Sequence, residues 1–381
     1  MAIKKYIIRP FNELSETGKL SGVLLILATI LSISLSNSEY GTSYLQIWQQ
    51  HIGFSFLHKS IEHWINDGLM VIFFFLVGLE IKRELLVGEL ANRKQAMLPI
   101  LAALGGMITP ALVYILFNIS SPENLHGWAI PTATDIAFSL AILSMLGNRV
   151  PVSLKIFLTA LAIIDDLGAI MIIAIFYTSS LQLDQVVYAG IFFAGLFILN
   201  RFHVKYIWLY FLFGIGLWYF ILQSGIHPTI AGVLLALLIP RELTGELEHS
   251  LHKPVNYFIL PLFALANTAI PIDMSSMQMA FSGISLGIIF GLFLGKPLGI
   301  LLFSYGGIKL RLAKLPGKTN WRMLAGSGLV AGIGFTMSIF IASLSFDNIQ
   351  SLNIAKLAII AGSVISALTG FLILYKSSTK S

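Results

Sequence analysis

Two adjacent acids, Asp165 and Asp166, stand in the middle of an otherwise apolar stretch running from Val152 to Tyr177. A charge at the centre of a bilayer costs roughly 2.5–3.5 kcal/mol on insertion scales, so ionisable groups there face a partner, a cavity or an ion path. Two carboxylates side by side in such a place resist double ionisation and titrate as a coupled unit. Successive helix positions lie about 100° apart, so the pair cannot face one partner, although both acids can border one polar cavity. A pair of this kind can trade protons for a hard cation. Carboxylate oxygens suit Na+ or Li+, with Thr134, a backbone carbonyl or water completing the shell. Asp135, in PTATDIAFSL, and Lys296, in GKPLGI, are further charges in apolar surroundings and belong to the same question.

Composition sets the class of molecule that must position these residues. At 56% hydrophobic and 11% charged, with a mean hydropathy of +0.85, 381 residues would leave large apolar areas in water if folded as a soluble core. The chain reads as an all-α polytopic membrane protein, and because its polar connections are short, residues 1–381 form one transmembrane domain. Apolar spans fall near 13–35, 60–82, 96–118, 124–147, 151–177, 183–200, 205–221, 225–239, 250–270, 281–304, 322–346 and 352–375, which makes twelve. With a cytoplasmic amino terminus, every one of the 24 basic residues falls inside except Lys59, Lys356 and the buried Lys296. The positive-inside rule therefore supports the span count and places both termini in the cytoplasm. The basic residues lie scattered in short loops, so the net charge of +6 reports topology and not nucleic acid. The absence of cysteine excludes disulfides and thiol chemistry. A basic start followed by an apolar run resembles a signal peptide with small residues at Ser34 and Ser36, but removing that run would reverse part of the charge pattern. In the outer connection from Asn37 to His58, aromatic and β-branched residues suit a surface β-hairpin within 42–57.

An internal repeat organises the spans. SLKIFLTALAII at 153–164 and SLNIAKLAII at 351–360 are alike but enter the membrane from opposite sides, as an inverted repeat requires. The preceding span is interrupted in both halves. WAIPTATDIAF carries Pro131 before Thr134 and Asp135, and GLVAGIGFTMSIF carries Gly332 and Gly334 before Thr336. Interrupted segments in matching positions of inverted halves point to an ion site at the membrane midplane. Where helices break, unpaired N–H groups leave positive ends and unpaired carbonyls negative ends, each worth about half a charge. Asp135 can offset the former and Lys296 the latter, so both can be structural compensators with no part in transport.

Other polar residues have plain readings. Glu80, Arg83 and Glu84 have the spacing of ion pairs at a helix end. His249 and His252 lie three apart near a helix start, but no third metal ligand is evident, so they read as surface histidines. His227 before Pro228 caps a short helix, and Asp67 is hydrogen-bonded structure.

Together GLMVIFFFLVGLEIKREL, AIPTATDIAFSLAIL, LTALAIIDDLGAI, GIHPTIAGVLLALLIP, LEHSLHKPVNYFILPLFALAN, GKPLGI and GIGFTMSIFIASL resemble the bacterial Na+/H+ antiporter A family, in order along nearly the whole chain. The resemblance implies twelve helices with inverted repeats and crossing, broken fourth and eleventh helices. It implies Asp165 and Asp166 as the cation and proton site, with Asp135 and Lys296 as midplane charges. A pH-responsive cytoplasmic mouth would be carried by Glu80, Arg83, Glu84, Glu248, His249 and His252. The function implied is electrogenic exchange of cytoplasmic Na+ or Li+ for external H+, about two H+ per Na+, in the bacterial inner membrane. Such a protein extrudes sodium, supports salt tolerance and pH homeostasis, needs no cofactor and no nucleic acid, lies among membrane lipid, and pairs as a homodimer through the 37–58 connection. The link from Gly245 to Lys253 is shorter than the family leads one to expect, which bears on the pH set-point.

Three functions of other classes meet contrary residues. An intramembrane aspartyl protease shares one proton between acids on separate helices, whereas Asp165 and Asp166 are neighbours. A proton-translocating subunit of a larger complex would string buried charges along several helices, and here they cluster. An ion channel needs a repeated filter, and no such repeat is present.

Overall fold

The computed structural model describes residues 9–54, 57–178, 180–272 and 281–377, except for the side chains of 9–17, 19 and 54. The described chain is almost wholly helical, and its long helices carry large apolar side chains on their outer faces. Val187, Ile191 and Phe197 on the Leu183–Arg201 helix, for example, are each more than half exposed. In water that surface would drive aggregation, and in lipid it is the expected jacket.

Among the described residues, seven helices are long and apolar enough to cross a membrane, or up to ten if each sharply bent pair is one span. The twelve apolar stretches thus do not all become single long helices. The stretch 225–239 yields only Thr229–Leu238, 10 residues, because the preceding helix ends at Gly225 with φ 87° and Pro228 begins the next. At about 1.5 Å per residue such a helix covers roughly half the hydrocarbon thickness. The stretch 250–270 is divided as well. Arg241–Pro254 is a polar helix, and the chain becomes apolar only from Val255 through Asn267. Residues expected to form a hairpin within 42–57 divide differently: Gly41–Gln49 is helical, and the strands are His51–Phe54 and Leu57–Ser60, paired antiparallel with His51 opposite Ser60. Residues 55–56 lie outside the described residues, as do Lys4, Lys5 and Lys380 of the charge count.

The chain divides into two compact units. One comprises residues 1–26, 87–169 and 270–381. Its framework pairs the Arg93–Asn118 helix with the Gly283–Lys309 helix, whose backbones approach at Gly105 and Gly299. A Cβ on either glycine would strike the carbonyl of the other, so the contact depends on both being glycine. Both interrupted segments lie in this unit. Pro122–Thr132, wound as a 3-10 helix, meets Ile136–Met145 at 43°, and Trp321–Ala331 meets Phe335–Ser345 at 46°. Pro131 has no N–H to donate, and it disfavours a helical conformation at the residue before it. At Gly332 a side chain would collide with the Leu292 carbonyl.

The second unit comprises residues 27–86 and 170–269. Its core gathers Phe75 and Leu79 with Tyr210, Leu217, Ile221, Leu235 and Ile239. This core seats the charged end of the Ile61–Val87 helix beside the polar Arg241–Pro254 helix.

Candidate functional site

Each interruption leaves a peptide pair without helical partners, and the two interruptions satisfy one another. Asp135 N donates to the Ile333 carbonyl at 2.7 Å. Asp135 caps Ile136–Met145, with its Oδ1 accepting from Phe138 N at 3.0 Å, and its Oδ2 accepts from Thr336 N at 3.1 Å and from the Thr336 hydroxyl. A single carboxylate thus lies on the positive ends of two half-helices. At the negative ends, Thr134 Oγ1 donates to the Ala331 carbonyl at 2.9 Å, and Lys296 Nζ donates to the Thr132 carbonyl. Ser139 Oγ to Val330 O, 3.0 Å, and Ser338 Oγ to Ile130 O, 2.7 Å, complete the lacing. Both serines lie outside the expected site. Their signal in the sequence is slight: a hydroxyl four residues past Asp135 and another two past Thr336.

Asp165 joins this network from the Val152–Phe176 helix. Its Oδ2 accepts from Lys296 Nζ at 2.8 Å and from Thr134 Oγ1 at 2.7 Å, and neither side chain of the ion pair is exposed to solvent. Its Oδ1 is buried and accepts no hydrogen bond among the described residues. An ionised carboxylate has about four acceptor sites, so half of this one's capacity is unused. Asp166, the next residue, is 2% exposed. Thr134, Asp135, Asp165, Asp166, Lys296 and Thr336 are therefore buried together in one unit, with Pro131, Gly332 and Gly334 at the breaks. The arrangement offers a hard cation carboxylate, hydroxyl and carbonyl oxygens, and offers a proton the same carboxylates and an amine.

Five of the six residues expected at the mouth meet in the second unit. Arg83 Nε lies 3.0 Å from both Glu248 oxygens, and an Arg83 terminal nitrogen meets Glu84. His252 Nε2 lies 3.6 Å from Glu248 Oε1 and 3.7 Å from Glu80 Oε1. His249 is on the exposed side of the same helix and is not one of this group. Among the described residues the i,i+3 ion pair suggested by the spacing of Glu80 and Arg83 is not made; Arg83 pairs instead with the adjacent Glu84 and with Glu248 on the neighbouring helix. The third group near a histidine that the sequence failed to reveal is also here, since Glu80, Glu248 and His252 each place a ligand atom within 4.8 Å of the others. Burial would raise the Glu248 carboxyl, but contact with His252 and Arg83 outweighs it and holds the group below its ordinary range. For His252 burial favours the neutral ring, and Glu248 and Glu80 reverse this and push it above its ordinary value. Elsewhere in this unit the N-cap of Thr229–Leu238 is Pro228 and not His227, whose Nδ1 lies 2.8 Å from the Thr229 hydroxyl and whose Nε2 stands 3.6 Å from Asp67.

A helical protein with an apolar jacket and a buried site of acids, hydroxyls and one amine belongs to the class of multi-pass membrane proteins that handle small cations. The sequence profile of the family described as Na+/H+ antiporter 1 matches residues 12–374. Over 368 residues the chain is 49% identical to the Na(+)/H(+) antiporter NhaA of Cytophaga hutchinsonii, spanning 95% of this chain and 94% of that one. It is 47% identical over 383 residues to the NhaA of Aliivibrio salmonicida, with 98% of each chain covered. With that of Pelagibacter ubique it shares 45% over 388 residues, 99% of this chain and all of the other. The chain belongs to the Na+/H+ antiporter 1 family, whose members are transporters and not enzymes.

Proposed function

We propose that the protein is a secondary active transporter that exchanges cytoplasmic Na+ or Li+ for external H+. Asp165 and Asp166 bind the cation with Thr134, and the same carboxylates carry protons on the return. The observation that carries this reading is Asp165, buried beside a second acid, with Oδ2 held by Lys296 and Thr134 and Oδ1 unused. A cation arriving there competes with the Lys296 ammonium for the carboxylate. Released, Lys296 remains at the Thr132 carbonyl and can lose its proton, so either the second aspartate or the amine supplies the second proton. Asp135 keeps the half-helix ends compensated while this happens.

Exchange of about two H+ per Na+ makes the cycle electrogenic. The same reading places the protein in the bacterial inner membrane with both termini cytoplasmic. There it extrudes sodium and supports salt tolerance and pH homeostasis. It takes twelve spans in inverted repeats, with the two broken spans crossing. The mouth formed by Glu80, Arg83, Glu84, Glu248 and His252, with His249 nearby, tunes the pH response, and a homodimer forms through the 37–58 region. Family membership and the two laced interruptions support this architecture. The deciding experiment is Na+-driven dequenching of a pH dye in proteoliposomes between pH 6 and 9. Purified protein that leaves the proton gradient untouched when Na+ is added would refute the proposal.

A further inference from the structure

The cluster of Glu80, Glu248 and His252 has a geometry that its place in a pH-responsive mouth does not require. Glu248 and His252 stand one helical turn apart on one face of Arg241–Pro254, and Glu80 reaches them from Ile61–Val87. The separations from His252 Nε2 to the two carboxylates, 3.6 and 3.7 Å, are longer than hydrogen bonds. They suit ligands around an ion, since nitrogen and oxygen atoms each about 2.1 Å from Zn2+ stand roughly 3.4–3.6 Å apart at tetrahedral to trigonal angles. Glu80 is 7% exposed, and its carboxylate has no hydrogen bond among the described residues, only the distant imidazole. Charge also points to a dication. Three acids, Glu80, Glu84 and Glu248, gather beside Arg83 and the titratable His252, so a dication that takes the place of the His252 proton meets matching carboxylate charge, while the Lys82 ammonium is engaged by the Leu237 and Ile239 carbonyls. Arg83 binds Glu248 from its Nε side and leaves lone pairs of that carboxylate for a second partner.

We propose that Glu80, Glu248 and His252 form a binding site for a divalent transition-metal ion such as Zn2+, separate from the Asp165 and Asp166 site. One imidazole and two carboxylates are a donor set for Zn2+, Co2+ or Mn2+, and poorly suited to Na+, which has little use for an imidazole nitrogen. Three protein ligands leave a coordination position for water.

The test is Co2+ titration of the purified full-length protein in detergent, read by visible absorption, followed by displacement with Zn2+. Wild type and Asp165→Asn should each take up one Co2+ per chain with a ligand-field band. His252→Ala and Glu80→Gln should each weaken binding by at least about tenfold, the lower end of what loss of an outer-shell partner alone does. His249→Ala should bind as wild type. All variants are compared at matched thermal unfolding midpoints, so a misfolded protein is not scored as a lost ligand. Unsaturable uptake by the wild type would overturn the proposal, as would undiminished binding in His252→Ala. Loss of binding in Asp165→Asn would overturn it too, by assigning the metal to the transport site.

Discussion

Asp165 is held by three kinds of group at once: an ammonium, a hydroxyl and, through the chain, a second acid. Removing the charge of either acid should remove exchange, because a neutral amide cannot alternate between a proton and a cation. We expect Asp165→Asn and Asp166→Asn each to abolish Na+-driven dequenching while inserting and purifying as the wild type does, since one fewer membrane charge does not hinder insertion. Normal dequenching in either variant would sink the assignment. The competition has a thermodynamic signature. Protons vacate the carboxylates as pH rises, so apparent Na+ affinity should rise with pH, and Na+ binding below saturating pH should release protons. Calorimetry in buffers of different ionisation enthalpy should show heats that track the buffer, and buffer-independent heats would mean separate sites for the two ions.

At the scale of elements, the interruptions serve as partners for each other. A broken helix buried in lipid would expose peptide groups at several kcal/mol each. Here Asp135 N, Thr134 Oγ1, Ser139 and Ser338 answer the free carbonyls, and the Asp135 carboxylate answers the free N–H groups. Thr336→Val keeps the shape of the side chain but takes one donor from Asp135 Oδ2. The loss should cost about 1–3 kcal/mol and lower the thermal midpoint in detergent, with exchange weakened and not abolished. An unchanged midpoint would show that the Thr336 hydroxyl does not support the break. The pairing also suits these segments to the proposed ion site: helix ends bring fixed dipoles to one place, and few charges are needed to balance them.

For the whole molecule the main quantity is charge moved per cycle. For a site emptied of Na+ with both carboxylates ionised, crossing a low-dielectric barrier uncompensated is costly, and two protons restore its neutrality. With one net charge moved, 100 mV biases exchange by roughly 2.3 kcal/mol. The reversal potential in proteoliposomes should sit away from the one-for-one value. In Lys296→Gln, if active, it should move toward that value only where the amine is a proton carrier. Wild-type reversal at the one-for-one value would refute electrogenic exchange.

Much of this protein is written in residue types. Composition alone demands a membrane solvent, and charges as rare as Asp135, Asp165, Asp166 and Lys296 in apolar runs mark themselves, because each must be compensated wherever it ends up. Pro131 and the glycines around Gly332 announce the breaks, since they weaken helix locally. The partners across space were decided by the tertiary fold. That Lys296 binds Asp165 and the Thr132 carbonyl, that Asp135 serves two half-helices, and that Arg83 reaches Glu248 depend on packing between segments more than a hundred residues apart. The short helix at Thr229–Leu238 and the polar start of the 250–270 stretch follow the same logic. Hydropathy counts apolar residues along the chain, but where a helix ends depends on backbone turns and on which groups find partners in three dimensions. The approach of Glu80 to His252 has no trace in local spacing, and the fold alone makes it a site.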